Sequence, residues 1–339
     1  MSGMESLPLA PALYVFGDSL FDSGNNNVLA TAAKADYLPY GIDFPQGVTG
    51  RFTNGKTVAD FIAEQLGLPY APPYMSLRES AGLTGFNYAS GSCGILPTTG
   101  LRFGKCLSIK DQIDLFHLTT KTKLSRHFKN PDDLAHYLSK SIFIFSTANN
   151  DYINNYLEQR SATRKTYSPQ SFAQLLVDDL AQQFEKLYRL GARKVIMFEI
   201  GPIGCMPTFA RKINHNGKCV EEINEITSYF NQKLRPMLQN LTSTLRGSNF
   251  VLGHANWLGY DAIQNPSKYG LVDSSNPCCR SWLNGTSGCI PLLKPCLGTN
   301  NHFFWDAFHL TQSACSIIAT RCFNDSSVCS PTINHLVRM

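Results

Sequence analysis

A serine, an aspartate and a histidine are the residues whose types and spacing could do chemistry together in this chain. Ser19 stands in Val15-Phe-Gly-Asp-Ser-Leu20, directly after a short apolar run, and Asp306 stands three positions before His309 in Phe303-Phe-Trp-Asp-Ala-Phe-His309. That step is about one helical turn, so the carboxylate can accept a hydrogen bond from one ring nitrogen while the other faces a hydroxyl. A serine hydroxyl is a poor nucleophile until an adjacent base takes its proton. Taken singly each signal is weak, because Asp, Ser, Gly and Asn are ordinary turn formers and Asp and His are common cap residues. His302 lacks an aspartate at the same step and reads as a loop histidine. His117, His127, His136, His215, His254 and His335 are scattered, with no His-Glu-x-x-His and no Cys-x-x-Cys, so neither a metal nor a cofactor is expected.

The elements that must position these residues alternate along the chain. Leu13 to Phe16 reads as a short buried strand that stops at Gly17. Further strands are expected at Gly85–Ser90, Ser141–Ser146, Val195–Ile200 and Asn249–Gly253. Between them lie segments with apolar residues at helical spacing, such as Phe172, Leu176, Leu180, Phe184 and Leu187, or Ile223, Phe230, Leu234 and Leu238. Thr57 and Thr311 are placed to cap helices, and Gly191 sits where a helix C-terminus is expected. This alternation predicts an α/β fold with one mostly parallel five-stranded sheet covered by helices on both faces. All strands of such a sheet end on one edge. That edge would gather Asp18-Ser19, Gly91-Ser92 and Asn149-Asn150-Asp151. Asp151 is expected to brace the Asn150 turn. No repeat, low-complexity tract or linker divides the chain, so residues 12–339 are expected to form one domain behind a tail, or expression remnant, at 1–11.

Composition narrows the partners. The 339 residues carry 30 basic and 25 acidic side chains, a net charge of +5, with no basic run, so nucleic acid is not an expected partner. No apolar run is long enough to span a bilayer. Eleven cysteines are many for a reducing compartment. Sequons at Asn240, Asn284 and Asn324 add to the case for a secreted protein. Met1 to Pro11 has no signal-peptide pattern, which suggests that the sequence starts near a mature N-terminus. Cys93–Cys106, Cys205–Cys219 and Cys322–Cys329 are candidate local bridges. Pairing among Cys278, Cys279, Cys289 and Cys296 stays open, and an odd count leaves at least one thiol free or paired elsewhere.

The block around Gly17-Asp-Ser-Leu20, followed by Phe-Asp-Ser-Gly-Asn-Asn, resembles the first block of the GDSL lipase/esterase family within the SGNH hydrolase superfamily. Thr49-Gly-Arg-Phe-Thr-Asn-Gly-Lys56, Asn87-Tyr-Ala-Ser-Gly91, Asn150-Asp-Tyr152, Gly201-Pro-Ile-Gly-Cys-Met-Pro207 and Phe304-Trp-Asp-Ala-Phe-His309 resemble its plant branch in particular. The resemblance implies a three-layer α/β/α sandwich of the SGNH, flavodoxin-like type. It also implies a secreted enzyme acting on a small-molecule, lipid or carbohydrate ester; oligomeric state is left open by the sequence, with a monomer as the default expectation. Ser19 would be the nucleophile, His309 the general base and Asp306 the group that sets its tautomer. The oxyanion hole would use the N–H of Ser19, the N–H of Ser92 (Gly91 as alternate) and the side-chain amide of Asn150. Two residues depart from the family pattern: Ser92 and Ala148 stand where glycine is usual. An acyltransferase using the same residues is the alternative within enzymes. An extracellular binding protein with weakened turnover is the alternative outside them.

Overall fold

The computed structural model describes residues 7–76, 83–158 and 160–339. Four parallel strands form the main sheet in the order β1 (Leu13–Gly17), β2 (Ile142–Ser146), β3 (Lys194–Phe198), β4 (Asn249–Gly253). Leu13 lies beside Ile142, Ile142 beside Lys194 and Lys194 beside Asn249, so the strands start and finish level.

The period-2 alternation of strand side chains divides the core in two. Tyr14, Phe16, Phe143, Phe145, Val195, Met197 and Phe250 fill one face, which is strongly aromatic. Phe16 stacks on Phe145 with ring centroids 4.6 Å apart. Leu13, Val15, Ile142, Ile144, Ile196 and Val251 fill the other face, which is mainly aliphatic. Both faces are buried, as a parallel sheet requires.

Seven longer helices follow in chain order: α1 (Val58–Leu66), α2 (Ile109–Thr122), α3 (Pro131–Lys140), α4 (Pro169–Arg189), α5 (Glu221–Thr244), α6 (Ala255–Gln264) and α7 (Gln312–Asn324). The buried stripes of α2, α4 and α5 cover the aromatic face, and those of α1 and α7 cover the aliphatic one. Thr57 accepts from the Asp60 N–H and Thr311 from the Ala314 N–H, so both expected caps form. None of the described helices is long and apolar enough to cross a membrane.

Two expectations about strands need correction. The main sheet has four regular strands, not five. Residues 85–90 do run beside β1, with Val15 N–H donating to Phe86 O and Tyr88 N–H to Val15 O. The ladder is incomplete at Gly17: its carbonyl accepts from the Ser90 N–H at 3.0 Å, but its N–H goes to Gln112 Oε1 at 2.8 Å instead of to the neighbouring backbone. The second correction is a separate two-stranded parallel sheet, β5 (Asp273–Pro277) and β6 (His302–Phe304), which is not among the expected strands.

All three candidate local disulfides form. Cys278–Cys296 and Cys279–Cys289 close the loop between β5 and β6, and Cys315 is a buried free thiol.

Candidate active site

The chain leaves β1 toward the 85–90 segment on one side and returns to β2 on the other. The gap between β1 and β2 is therefore a topological switch point, where crevices open beyond the strand ends of α/β sheets. Ser19 follows β1 there. Gly17 makes the exit possible: its φ is +144°, and a Cβ would sit 2.1 Å from the Ser146 carbonyl oxygen. The Asp18 N–H donates to that same oxygen at 3.0 Å, and Asp18 Oδ1 accepts from the Leu20 N–H at 3.0 Å. The resulting turn presents the Ser19 side chain to the crevice.

The imidazole arrives from the opposite direction. β6 ends at Phe304, and Asp306 Oδ1 accepts the N–H groups of Phe308 and His309, each at 2.8 Å. The three-residue step thus works through an aspartate-capped turn and not through a helix. His309 folds back so that Nδ1 lies 2.7 Å from Asp306 Oδ2, while Nε2 lies 2.7 Å from Ser19 Oγ. Burial pushes the fully buried Asp306 carboxyl up. The charge and hydrogen bond of His309, with bonds from Tyr40 and the Phe308 N–H, outweigh burial and hold it below the usual carboxylate range.

Tyr40 was not singled out in the sequence, yet its hydroxyl donates to Asp306 Oδ2 at 2.5 Å. The same hydroxyl accepts from the Cys289 N–H at 3.2 Å, and Tyr37 donates to the Cys289 carbonyl at 3.1 Å. The carboxylate is thereby tied to the disulfide-closed loop. The sequence offers one clue, the two tyrosines of Tyr37-Leu-Pro-Tyr40. Phe52 lies with its ring centroid 5.0 Å from that of His309.

The second and third turns are fixed from below. The Gly91 N–H donates to Asp22 Oδ2 at 3.1 Å and is not free for other work. Among the described residues, no acceptor pairs with the backbone N–H of Ser19 or Ser92. Asn150 Nδ2 spends one N–H on the Cys93 carbonyl at 3.0 Å and has a second, since an amide carries two. Asp151 braces this corner: its carboxylate accepts from the Ile95 and Leu96 N–H groups and from Thr99 Oγ1. Burial drives the carboxyls of Asp18 and Asp151 up to about 6, against these hydrogen bonds. Asp18, Ser19, Tyr37, Tyr40, Ser92, Asn150, Asp306 and His309 line one cavity of about 270 Å3, together with Phe52, Trp282 and Phe308.

Ser92 and Ala148 both adopt left-handed backbone, with φ of 69° and 79°. Such angles strain L-residues by about 1–2 kcal/mol each, and glycine would relieve this at some cost in unfolded-chain entropy. Ser92 Oγ is also buried without a partner. Ser92→Gly and Ala148→Gly should each stabilise the fold by about 0.5–1 kcal/mol, roughly 1–2 °C in Tm. A calorimetric Tm that stays level or falls in both would show that the surrounding packing carries no strain there.

Cys278, Cys296 and His302 come close together, but the two cysteines share a disulfide and offer no thiolate to a metal.

The profile of a family described as GDSL-like Lipase/Acylhydrolase matches residues 13–322. Among curated proteins, GDSL esterase/lipase 7 of Arabidopsis thaliana is 47% identical over 327 residues, covering 94% of this chain and 89% of the relative. GDSL esterase/lipase At5g08460 of the same plant is 42% identical over 337 residues, covering 96% of this chain and 87% of the relative.

Proposed function

The chain belongs to the GDSL-like lipase/acylhydrolase family of hydrolases, and on that premise we propose that it is a secreted carboxylic ester hydrolase working through an acyl-serine intermediate. The observation that carries this reading is the unbroken hydrogen-bond chain from Ser19 Oγ through His309 to Asp306, at 2.7 Å and 2.7 Å. In it, Ser19 Oγ attacks the ester carbonyl carbon while His309 Nε2 takes its proton. The carbonyl oxygen becomes an oxyanion held by the Ser19 and Ser92 N–H groups and the free N–H of Asn150. Donors aimed at charge that exists only in the transition state are worth roughly 3–4 kcal/mol each. His309 then returns the proton to the departing alcohol oxygen. Water, deprotonated by His309, releases the acid and restores Ser19. Asp306 remains ionised throughout and keeps the Nδ1–H tautomer. Five disulfides support the secreted part of the reading, since such bonds persist in oxidising compartments.

Release of p-nitrophenol from acetyl to octanoyl esters tests the reaction class. Turnover of any member, saturating with substrate, supports it. No release from any ester, by protein shown to be folded, would remove it.

Tyr40 enters this mechanism as a positioning residue. Its hydroxyl shares Asp306 Oδ2 with His309 and helps to keep the carboxylate ionised. Tyr40→Phe should lower kcat by roughly tenfold, the scale of one hydrogen bond to a charged group, with KM little changed. Losing that bond raises the Asp306 pKa, so the acid limb of the pH–rate profile should move to higher pH. A unchanged limb alongside a lowered kcat would reduce Tyr40 to a packing role.

A further inference from the structure

The polar turns of the site use the ends of the 85–90 segment, β1 and β2. The ends of β3 and β4 are different in character. β3 runs into Phe198-Glu-Ile-Gly-Pro202 and β4 into α6. A second cavity, of about 70 Å3, lies over them, walled by Phe198, Ile263, Phe303, Phe304 and Ile318. Its wall toward Ser19 consists of Leu20, Asn149, Met206 and Phe308, and these four also line the site cavity. The charged group at its edge is already satisfied: Glu199 accepts from His254 Nδ1 at 2.9 Å and from the Asn256 N–H at 3.2 Å. Asn149 Nδ2 donates to Asp18, and Asn149 Oδ1 is buried without a partner among the described residues.

We propose that this cavity is the acyl pocket, which takes the unbranched hydrocarbon tail of a short-chain ester while the carbonyl group stays at Ser19. The proposal rests on the ester hydrolase reading above. The four shared residues put this cavity next to the Ser19 crevice, and its aromatic and aliphatic walls favour methylene groups over water. Size sets the length. An engineered cavity of about 150 Å3 holds benzene, so half that volume takes about three methylenes. Each buried methylene is worth roughly fourfold in rate.

The quantity to measure is kcat/KM across p-nitrophenyl esters from acetyl to octanoyl. It should rise roughly sixtyfold from acetyl to pentanoyl, by three methylenes at about fourfold each, and fall again at octanoyl. Gly259 on α6 provides a plug: a Cβ there would point at Pro202 Cδ, 3.2 Å away, and Phe303 Cζ, 3.9 Å away, both on the cavity wall. Gly259→Leu should bring the pentanoyl-to-acetyl ratio close to unity. Ile318→Ala, which enlarges the cavity, should move the optimum to longer chains and serves if the plug does not fold. An unchanged profile in the folded variants would overturn the proposal.

A binding arm separates the pocket from the reaction. Pentanoate is titrated calorimetrically into Ser19→Ala protein and into Ser19→Ala/Gly259→Leu protein. At least tenfold weaker binding to the plugged form supports the pocket even if no ester is cleaved, an outcome that would remove only the hydrolase reading. Absent binding, or binding indifferent to the plug, overturns the pocket.

Discussion

Ser19→Ala is expected to lower kcat for ester cleavage by about 10^6-fold, while leaving Tm within a degree or so of the parent. In triad hydrolases the loss of the nucleophile removes covalent catalysis altogether, and what remains is the oxyanion hole and substrate binding. The side chain of Ser19 is half-buried, and its only side-chain hydrogen bond among the described residues is to His309 Nε2. The turn that carries it is held by backbone groups and by Asp18, none of which the substitution touches. Stability and rate are therefore separable here. A variant retaining more than a hundredth of the parental kcat would remove Ser19 from the role of nucleophile.

Asp306→Asn should cost roughly 10^4-fold in kcat, through the tautomer of His309. Asp306 Oδ1 accepts two backbone N–H groups, from Phe308 and His309. An asparagine must keep its one carbonyl oxygen toward those donors or leave them unpaired in a buried site. Its NH2 group then faces His309 Nδ1, which becomes an acceptor. The ring proton moves to Nε2 and points at Ser19 Oγ, where a base is needed. The Tyr40 hydroxyl also loses its acceptor. The loss should be partly recovered at high pH, where the serine proton can leave to solvent hydroxide. A variant with near-parental turnover at neutral pH would mean that Asp306 does not set the tautomer.

Much of this arrangement was legible in the sequence, for local reasons. Leu13 to Phe16 and Ile142 to Phe145 are uninterrupted apolar runs, and a parallel sheet buried on both faces leaves them no alternative. The Thr57 and Thr311 caps are read from residues within one turn. Asp306 and His309 are three positions apart, so their contact needed no knowledge of the fold.

What escaped was non-local or competitive. The 85–90 segment has strand-like residues and its Ser90 N–H reaches the Gly17 carbonyl, but Gln112, 95 positions from Gly17, takes the Gly17 N–H that a regular strand pair would use. Tyr40 is 266 positions from Asp306 and only the folded chain brings them together. β5, Asp-Ser-Ser-Asn-Pro, is built from turn formers and pairs with β6 across a loop closed by two disulfides. Of the two candidate donors in the Gly91-Ser92 turn, composition could not say which was committed elsewhere. The bond from Gly91 to Asp22 leaves Ser92 as the free one.

The most direct test of the central claim is to trap the covalent intermediate. The protein is mixed with excess p-nitrophenyl butyrate, quenched in acid within the first turnovers, digested and analysed by mass spectrometry. The expected result is a butyryl mass on the peptide carrying Ser19, absent from Ser19→Ala protein and accumulating in step with an initial burst of p-nitrophenol. Turnover with the label on another residue would contradict the claim that Ser19 is the nucleophile.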